Sequence, residues 1–306
     1  MTDPIAIRAA GQEQGDGRPK VIEACPSIET YLARLRAELA GSDPALVQDA
    51  LYDTEDHLRA GLAEASLDQV IAAFGTPREV ADAWRESDAH VTRALHPAAP
   101  RKLKGGTLME RTFGVFKDPR TYSALVYMLL SLATGIFYFT WVVTGLSISI
   151  GTSILIFGVP IFLLFLASVR ALALVEGRMV EALLGVRMPR LQAPEAPGTL
   201  WERLRGWLKD SRTWLTMLYM VLELPLGIAY FTVAFTALAL VGSFFVAPFA
   251  QVLQYGAVRI GEWVLPYWAL PLCWVVSVAL LIGTLHLARL VGRAHAALAR
   301  RMLVQA

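Results

Sequence analysis

The 306-residue sequence predicts an all-α membrane protein, in which a small helical domain precedes a four-helix transmembrane bundle. Hydropathy is the first reason: 55% of the residues are hydrophobic, 18% are charged, and the mean hydropathy is +0.48. Soluble domains are usually about 25% charged. Charge distribution is the second reason, because residues 1–99 carry 17 acidic and 9 basic side chains, whereas the remainder carries 9 acidic and 19 basic ones. An internal repeat in the apolar part is the third.

The first 26 residues are polar and rich in Gly, Gln, Asp and Pro, and we expect them to form a disordered leader. They lack the basic start and the apolar stretch of a signal peptide. Cys25 and Cys273 are the two cysteines of the chain, which argues against a disulfide framework or a zinc cluster.

Helical periodicity over residues 27–88 predicts an acidic helical domain of about 60 residues, near the lower size limit for independent folding. Four helices are expected, and two of them begin with the spacing of a capping box. Their bounding residues are Ser27 and Gly41, about Asp43 and Leu62, Ser66 (with Gln69) and Gly75, and Thr76 (with Glu79).

An acidic face lies opposite the apolar stripe of the second predicted helix, formed by Asp49, Asp53 and Asp56. Because an acidic domain is repelled by an anionic inner leaflet and attracts basic protein surfaces, we interpret this face as a candidate partner-binding surface. The same charge argues against direct binding of nucleic acid. His57 has no second histidine at metal-binding spacing, so an exposed acidic surface is its ordinary explanation.

The order of these helices resembles the HAAS signalling domain, a short module of bacterial membrane proteins encoded near PadR-type regulators. The similarity is carried by Tyr31–Leu35 (YLARL), Asp53–His57 (DTEDH) and Phe74–Ala81 (FGTPREVA), and the last run is the most specific. The resemblance implies a signalling role, with a PadR-like transcription regulator as the protein partner.

Four apolar stretches are each long enough to cross about 30 Å of hydrocarbon. The expected spans are approximately Ser123–Leu146, Ser149–Val175, Trp214–Val241 and Tyr267–Val291. A short link from Gly145 to Gly151 would make the first two an antiparallel hairpin. Arginine and lysine collect before the first span, between the second and third, and in the tail, whereas Arg259 alone lies on the other side. The positive-inside rule therefore predicts that both termini are cytoplasmic, in a bacterial inner membrane.

The membrane region contains an internal duplication at a shift of 92 positions. Gly106–Arg111 returns as Gly198–Arg203, and Gly135–Thr140 returns as Gly227–Thr232. Each unit holds an amphipathic segment and two spans, so both have the same orientation. Two such hairpins are expected to pack about a pseudo-twofold axis along the membrane normal.

Domain boundaries follow from this repeat. We expect a linker over residues 89–105, a first repeat over 106–190, and a second repeat over 191–306 with an outer loop at 242–266. The outer loop is aromatic and nearly uncharged. It is either a sensing surface for an apolar or membrane-borne stimulus or an interfacial helix that covers the bundle.

The amphipathic segment of the second repeat predicts an interfacial helix that contacts membrane lipids. Trp201 and Trp207 lie on its apolar face, and Arg203 and Lys209 supply cations for anionic headgroups. An ordinary extension of the following span is the alternative.

Among the polar residues of the predicted spans, Glu223 is the strongest functional candidate. It lies about nine residues into the third span and two residues before Pro225. An ionisable group at that depth is costly and is by default a functional candidate. Its equivalent in the first repeat is Ser131, and His286 on the antiparallel fourth span is a candidate partner at similar depth. A polar helix-packing contact at the Pro225 kink is the alternative.

The repeat pattern and the Glu176–Arg178 end of the second span resemble the four-span sensor domain of actinobacterial sensor histidine kinases. This resemblance implies a membrane sensor. No dimerisation-phosphoacceptor helix and no ATP-binding glycine boxes accompany it, so autokinase activity is not expected.

The sequence has no H-E-x-x-H, P-loop, G-x-S-x-G or C-x-x-C motif, and we expect no enzyme activity, no cofactor and no bound metal. The predicted function is a sensor that relays an envelope or lipid signal to a cytoplasmic protein. Such a sensor is compatible with homo-oligomers. A small transporter or transporter accessory subunit is the alternative, motivated by the duplicated spans and Glu223. The nearly uniform apolarity of the spans argues against a pore.

Overall fold

The computed structural model describes residues 27–95, 114–152, 158–191, 199–253, 259–260 and 263–304. Within these ranges most residues are helical and the strands form one small hairpin, which confirms the predicted all-α class. The predicted leader at 1–26 and the amphipathic segment that opens the first repeat, up to residue 113, lie outside the described residues.

The chain divides into two compact units. The head unit contains residues 1–100, 170–206 and 303–306, and the membrane unit contains residues 101–169 and 207–302. The unit boundary at residues 169 and 170 falls inside a single continuous helix, the second of the long apolar helices.

Residues 27–95, the first described range of the head unit, form four helices: α1 (Ile28–Glu38), α2 (Pro44–Gly61), α3 (Leu67–Phe74) and α4 (Pro77–Leu95). The predicted caps are present, since Thr30 N donates to Ser27 Oγ at 3.2 Å and Thr76 N donates to Glu79 Oε2 at 2.9 Å. Residues 89–95, predicted as linker, instead extend α4. No Gly or Pro interrupts the chain between Pro77 and Pro97, so nothing in the sequence stops the helix earlier.

Two apolar clusters hold these helices together. One contains Leu35, Leu39, Leu46, Leu51 and Val80, and the other contains Tyr31, Leu58 and Ile71. Tyr31 Oη donates to Gly75 O at 2.8 Å, which ties α1 to the turn between α3 and α4. Gly75 has φ +108°, a conformation that favours glycine and sets the angle of this turn.

Among the residues that the structure describes, four helices are long and apolar enough to cross a membrane, with 18-residue windows of mean hydropathy between 1.8 and 2.2, which agrees with the predicted number. A short amphipathic helix, α7, precedes the third of them. The helices are α5 (Pro119–Thr152), α6 (Gly158–Leu184), α7 (Leu200–Lys209), α8 (Ser211–Val252) and α9 (Leu270–Leu303).

The long helices extend beyond the predicted spans. Gly145 and Gly151, predicted to bound a turn, lie inside α5, and the second span begins at Gly158 instead of Ser149. Glycine is tolerated within transmembrane helices. At Gly145 the missing side chain accommodates Phe165, because a Cβ atom there would overlap its ring.

The predicted outer loop at 242–266 is also corrected, because α8 continues through Pro248 to Val252. Apolar residues fill this last part of the helix, and proline is tolerated in membrane helices whose freed backbone groups find other partners. The later part of the loop contains a hairpin of two short antiparallel strands, each of two residues: β1 (Arg259–Ile260) and β2 (Trp263–Val264).

The first spans of the two repeats, α5 and α8, approach each other closely at a pair of equivalent glycines. A Cβ atom at Gly135 would lie 2.6 Å from Glu223 O, and one at Gly227 would overlap Ser131 O. Residues 131 and 135 become 223 and 227 under the shift of 92, so the crossing is symmetric. Small residues allow such close backbone approach between membrane helices.

Candidate functional site

Glu223 is completely buried in the membrane unit, within a group of four polar side chains from three helices. Its Oε1 accepts a hydrogen bond from Tyr127 Oη of α5 at 3.2 Å, and its Oε2 lies 3.8 Å from His295 Nε2 of α9. Tyr219 of α8 lies one turn before Glu223 and also contacts His295. We call Tyr127, Tyr219, Glu223 and His295 the membrane polar cluster.

The hydrogen bonds of this cluster form a directed chain. Tyr127 Oη donates a hydrogen bond to Glu223 Oε1, so the lone pairs of its oxygen are available to accept from His295 Nε2, which lies 2.5 Å away. The Nε2 atom is also 2.9 Å from Tyr219 Oη. His295 Nδ1 has no hydrogen-bond partner among the described residues, which fits a neutral ring that carries its proton on Nε2. The cluster thus links a histidine to a carboxylate through one hydroxyl group.

The two repeats contribute unequally to the cluster. Tyr127 and Tyr219 are equivalent under the shift of 92, and both contact the same histidine. Ser131, the equivalent of Glu223, is buried and donates to Met128 O at 2.8 Å within its own helix. The structure therefore places Ser131 at the helix crossing, and of these two equivalent positions Glu223 alone contributes a carboxylate to the cluster.

The sequence pointed to His286 as the partner of Glu223, but the structure places His295 there. The His286 ring is exposed, and its Nδ1 lies 2.9 Å from Ile282 O of its own helix. Nine residues separate the two histidines, which is about 180° around a helix, so they face opposite sides. A stripe of small and polar buried residues identifies the inward side of α9 and could have indicated His295: Cys273, Ser277, Thr284 and Ala288.

The four residues predicted to contact lipid all lie on α7. Trp201 is 64% exposed, Lys209 is exposed, and Trp207 and Arg203 are half-buried. A capping box begins the helix, since Thr199 N donates to Glu202 Oε2 at 2.9 Å and Glu202 N donates to Thr199 Oγ1 at 3.4 Å.

The connection between α7 and α8 has the same hydrogen bonds as the connection that precedes α5. Trp214 Nε1 donates to Leu208 O at 2.9 Å, and the equivalent Tyr122 Oη donates to Phe116 O at 3.2 Å. Asp210 and Asp118 each accept from a backbone N–H two residues later, at 3.1 Å. The duplicated sequence therefore produces duplicated entry geometry for the first span of each repeat.

The predicted acidic face of α2 is divided in the structure. Asp56 is exposed and Asp53 is half-buried, whereas Asp49 is 1% exposed and has protein partners. Its Oδ1 accepts from the backbone N–H groups of Arg190 and Leu191, at 2.7 and 3.0 Å. Asp49 is thus not part of an open partner-binding face, because a segment from elsewhere in the head unit covers its carboxylate.

That segment, residues 185–191, follows α6 and is here called the return segment. It begins at Gly185, whose φ of +69° turns the chain at the end of the helix. Met188 is fully buried and contacts Gly177 of α6, and Arg190 Nη2 lies 2.5 Å from Glu181 Oε1. The return segment therefore folds back along the last turns of α6.

Two carboxylates of the helical domain face one arginine of the return segment. Arg187 pairs with Asp88 of α4, and its Nη2 lies 4.0 Å from Asp49 Oδ2. The Arg187 side chain is only 9% exposed. Asp49, Asp88, Arg187 and the two backbone N–H groups of Arg190 and Leu191 form the docking site of the return segment. Sequence reasoning missed this site, since nothing local marks Arg187 or Arg190 among the many basic residues near the spans.

Burial controls the ionisation of this docking site. It raises the pKa of Asp49 to about 6, although the two backbone N–H donors and the nearby Arg187 and Arg190 act in the opposite direction. Burial also lowers the pKa of Arg187, and Asp49 counteracts that shift. The docked arrangement is therefore sensitive to pH in a range in which isolated aspartates are fully ionised.

Comparisons with known proteins match both parts of the chain. The model of the Sensor family, described as "Putative sensor", matches residues 127–303, which include the whole membrane polar cluster. The HAAS family model matches residues 30–83, which include Asp49. No curated protein and no solved structure gives a significant match. This pair of domains fits a signalling or sensor role and suggests a non-catalytic membrane protein.

Proposed function

Because the chain belongs to the Sensor family and carries a HAAS domain, we propose that it senses an envelope or lipid condition and relays it to a cytoplasmic protein. The partner is a PadR-like transcription regulator, and the chain performs no catalysis of its own. It lies in the inner membrane of a bacterium with both termini in the cytoplasm, on the side where its arginines and lysines collect.

The observation that carries this proposal is the pair of hydrogen bonds that Asp49 accepts from the return segment. The segment leaves α6, an apolar helix that continues without a break from the membrane unit into the head unit. The hydrogen bonds of Arg190 N and Leu191 N to Asp49 are directional, so a rotation or shift of α6 weakens them. The helical domain is thus able to report the position of a span.

The membrane polar cluster is the part of the bundle on which a stimulus acts. A buried carboxylate inside apolar helices is costly and is held by a few specific hydrogen bonds. Glu223, Tyr127 and His295 join α8, α5 and α9 at one point. A change in lipid packing that separates these helices breaks those bonds, and α7 supplies lipid contacts through Trp201, Arg203 and Lys209.

Purification of the full chain from native membranes, followed by mass spectrometry, tests the partner. The full chain is expected to retain a winged-helix regulator of the PadR class, and deletion of residues 27–88 is expected to remove it. Deletion of residues 1–26 is the matched control and leaves the regulator bound. Retention of the same regulator by the chain that lacks 27–88 contradicts the proposal.

The membrane polar cluster also favours one second candidate, a small transporter, because protonatable chains of this kind mark ion and proton pathways. Flux measurements in proteoliposomes separate the two functions. A substrate or proton flux that Glu223→Gln abolishes decides for transport. Background flux in both the native chain and the variant decides for sensing.

A further inference from the structure

The return segment is held in the way that a protein holds an extended peptide. Residues 186–190 are neither helix nor strand, and Arg190 and Leu191 present consecutive backbone N–H groups to one carboxylate. Met188 and Pro189 are buried between the charged anchors. Backbone hydrogen bonds combined with side-chain anchors are the common basis for recognition of linear segments.

Charge complementarity identifies the kind of segment that this surface accepts. Residues 27–88 carry 13 acidic and 5 basic side chains, whereas the return segment carries two arginines and no acidic residue. Arg187 lies between Asp49 and Asp88, and guanidinium groups suit paired carboxylates better than ammonium groups do. The surface therefore selects a segment with arginine followed by apolar residues.

We infer that the Asp49–Asp88 surface is a binding site for an extended segment of the partner protein that carries an arginine followed by apolar residues, and that the return segment occupies it as an intramolecular competitor. The inference rests on the proposed function for the statement that a cytoplasmic protein supplies the segment. Docking of the return segment and binding of the partner exclude each other, so displacement of α6 exposes the site.

A tethered competitor has a high effective concentration, about millimolar for a short connection, so a free peptide competes poorly with it. The native chain is therefore expected to bind added peptide weakly. The variant Arg187→Gln/Arg190→Gln weakens the tethered competitor but leaves Asp49 and Asp88 in place. This variant is expected to bind a free copy of the segment more tightly than the native chain does.

The probe is a fluorescent synthetic peptide with the sequence of residues 184–191, LGVRMPRL, titrated into the full chain in nanodiscs. We expect at least a tenfold lower Kd for the Arg187→Gln/Arg190→Gln variant than for the native chain. A peptide in which both arginines are glutamine is expected to bind at least tenfold more weakly. Arg187→Gln alone, which retains the Arg190–Glu181 contact, gives the same comparison if the double variant does not fold.

Two further substitutions in the Arg187→Gln/Arg190→Gln chain locate the binding site. Added Asp49→Ala is expected to remove peptide binding, because it removes the acceptor of the two backbone N–H groups. The matched control Asp56→Ala, on the same helix and exposed, is expected to leave binding unchanged. Asp88→Ala gives a second test of the site should Asp49→Ala unfold the domain. Equal binding to the native and double-variant chains, or equal loss with Asp49→Ala and Asp56→Ala, overturns the inference.

The peptide experiment and the partner purification fail independently. Peptide binding that depends on Asp49, without any regulator in the purified chain, supports this binding site and contradicts the proposed function. A regulator that binds the native chain and is indifferent to Asp49→Ala and Asp88→Ala supports the proposed function and contradicts this binding site.

Discussion

Glu223 in the membrane unit and Asp49 in the head unit are both buried carboxylates, but they are stabilised in different ways. Glu223 accepts from a tyrosine hydroxyl and lies near a histidine, and all of its partners in the cluster sit on long apolar helices. Asp49 accepts from two backbone N–H groups of a short extended segment and faces a guanidinium group. The first arrangement belongs to the packing of the bundle, whereas the second is a contact that can open while both sides remain folded.

Removal of the Asp49 carboxylate is expected to have the largest effect, because Asp49→Ala leaves Arg187 buried with one partner fewer and two backbone N–H groups unsatisfied. Breaking a buried charged contact in this way costs about 3–5 kcal/mol. The cost falls on docking of the return segment. Limited trypsin digestion of the full chain measures it, and cleavage after Arg187 and Arg190 is expected to accelerate by at least tenfold. Unchanged cleavage would show that Asp49 does not hold the segment.

Substitution of a glycine at the α5–α8 crossing tests the packing side of the comparison. Gly227→Leu is expected to destabilise the bundle by about 1–3 kcal/mol, because the new side chain collides with the Ser131 backbone. Gly242→Leu is the matched control on the same helix, since a Cβ atom there meets nothing within 4 Å. Thermal unfolding in detergent compares the two variants. Equal stability would contradict the close crossing.

The docking of the return segment on Asp49 is expected to depend on pH. Because the pKa of Asp49 is raised from 3.8 to about 6 by burial, the docked state binds a proton more tightly than the free state. Docking is therefore most stable below pH 3.8 and weakens as pH rises through 6. The difference between the two pKa values corresponds to a loss of about 1 kcal/mol in the free energy of docking between pH 5 and pH 7.

Exchange of the protected backbone N–H groups of residues 190 and 191, corrected for intrinsic chemistry at each pH, measures this loss. Asp49→Asn is the control, since asparagine does not titrate and its docking is expected to be independent of pH. A native chain whose docking strengthens between pH 5 and pH 7 would contradict the burial argument.

A conservative change at Glu223 is expected to have the smallest effect. Glu223→Gln retains an acceptor for Tyr127, and hydrogen bonds between membrane helices contribute only about 0.6 kcal/mol on average. Thermal unfolding is therefore expected to shift by a few degrees at most. Glu223→Leu removes the acceptor and is expected to shift it more. A larger loss with glutamine than with leucine would mean that the negative charge, and not the hydrogen bond, holds the cluster.

The fold was largely predictable because its signals are local or periodic. Capping boxes at Ser66 and Thr76, the four apolar stretches and the 92-residue repeat all depend on spacing within the sequence. The ends of the helices were less predictable. Gly145 and Gly151 have the composition of a turn, but inside an apolar run the helix continues and the packing of Phe165 explains the glycine at 145.

The sequence indicated which carboxylates are candidate site residues, but not which residues contact them. The position of an ionisable group inside an apolar span made Glu223 recognisable, whereas the choice of His295 over His286 depends on which side of α9 faces inward. Asp49 was assigned to an open face because α2 alone has that pattern. Its burial depends on a segment about 140 residues away in the sequence, and no local pattern encodes such a contact.

Amide hydrogen exchange at Arg190 and Leu191, in the full chain in nanodiscs, tests most directly whether the helical domain reads the spans through the return segment. We predict slow exchange of both amides in the native chain and fast exchange in Asp49→Ala. Glu223→Leu, which disturbs the membrane polar cluster and leaves the docking site intact, is predicted to give intermediate exchange. Identical exchange in the native chain and Glu223→Leu, with the expected acceleration in Asp49→Ala, would contradict coupling between the spans and the head.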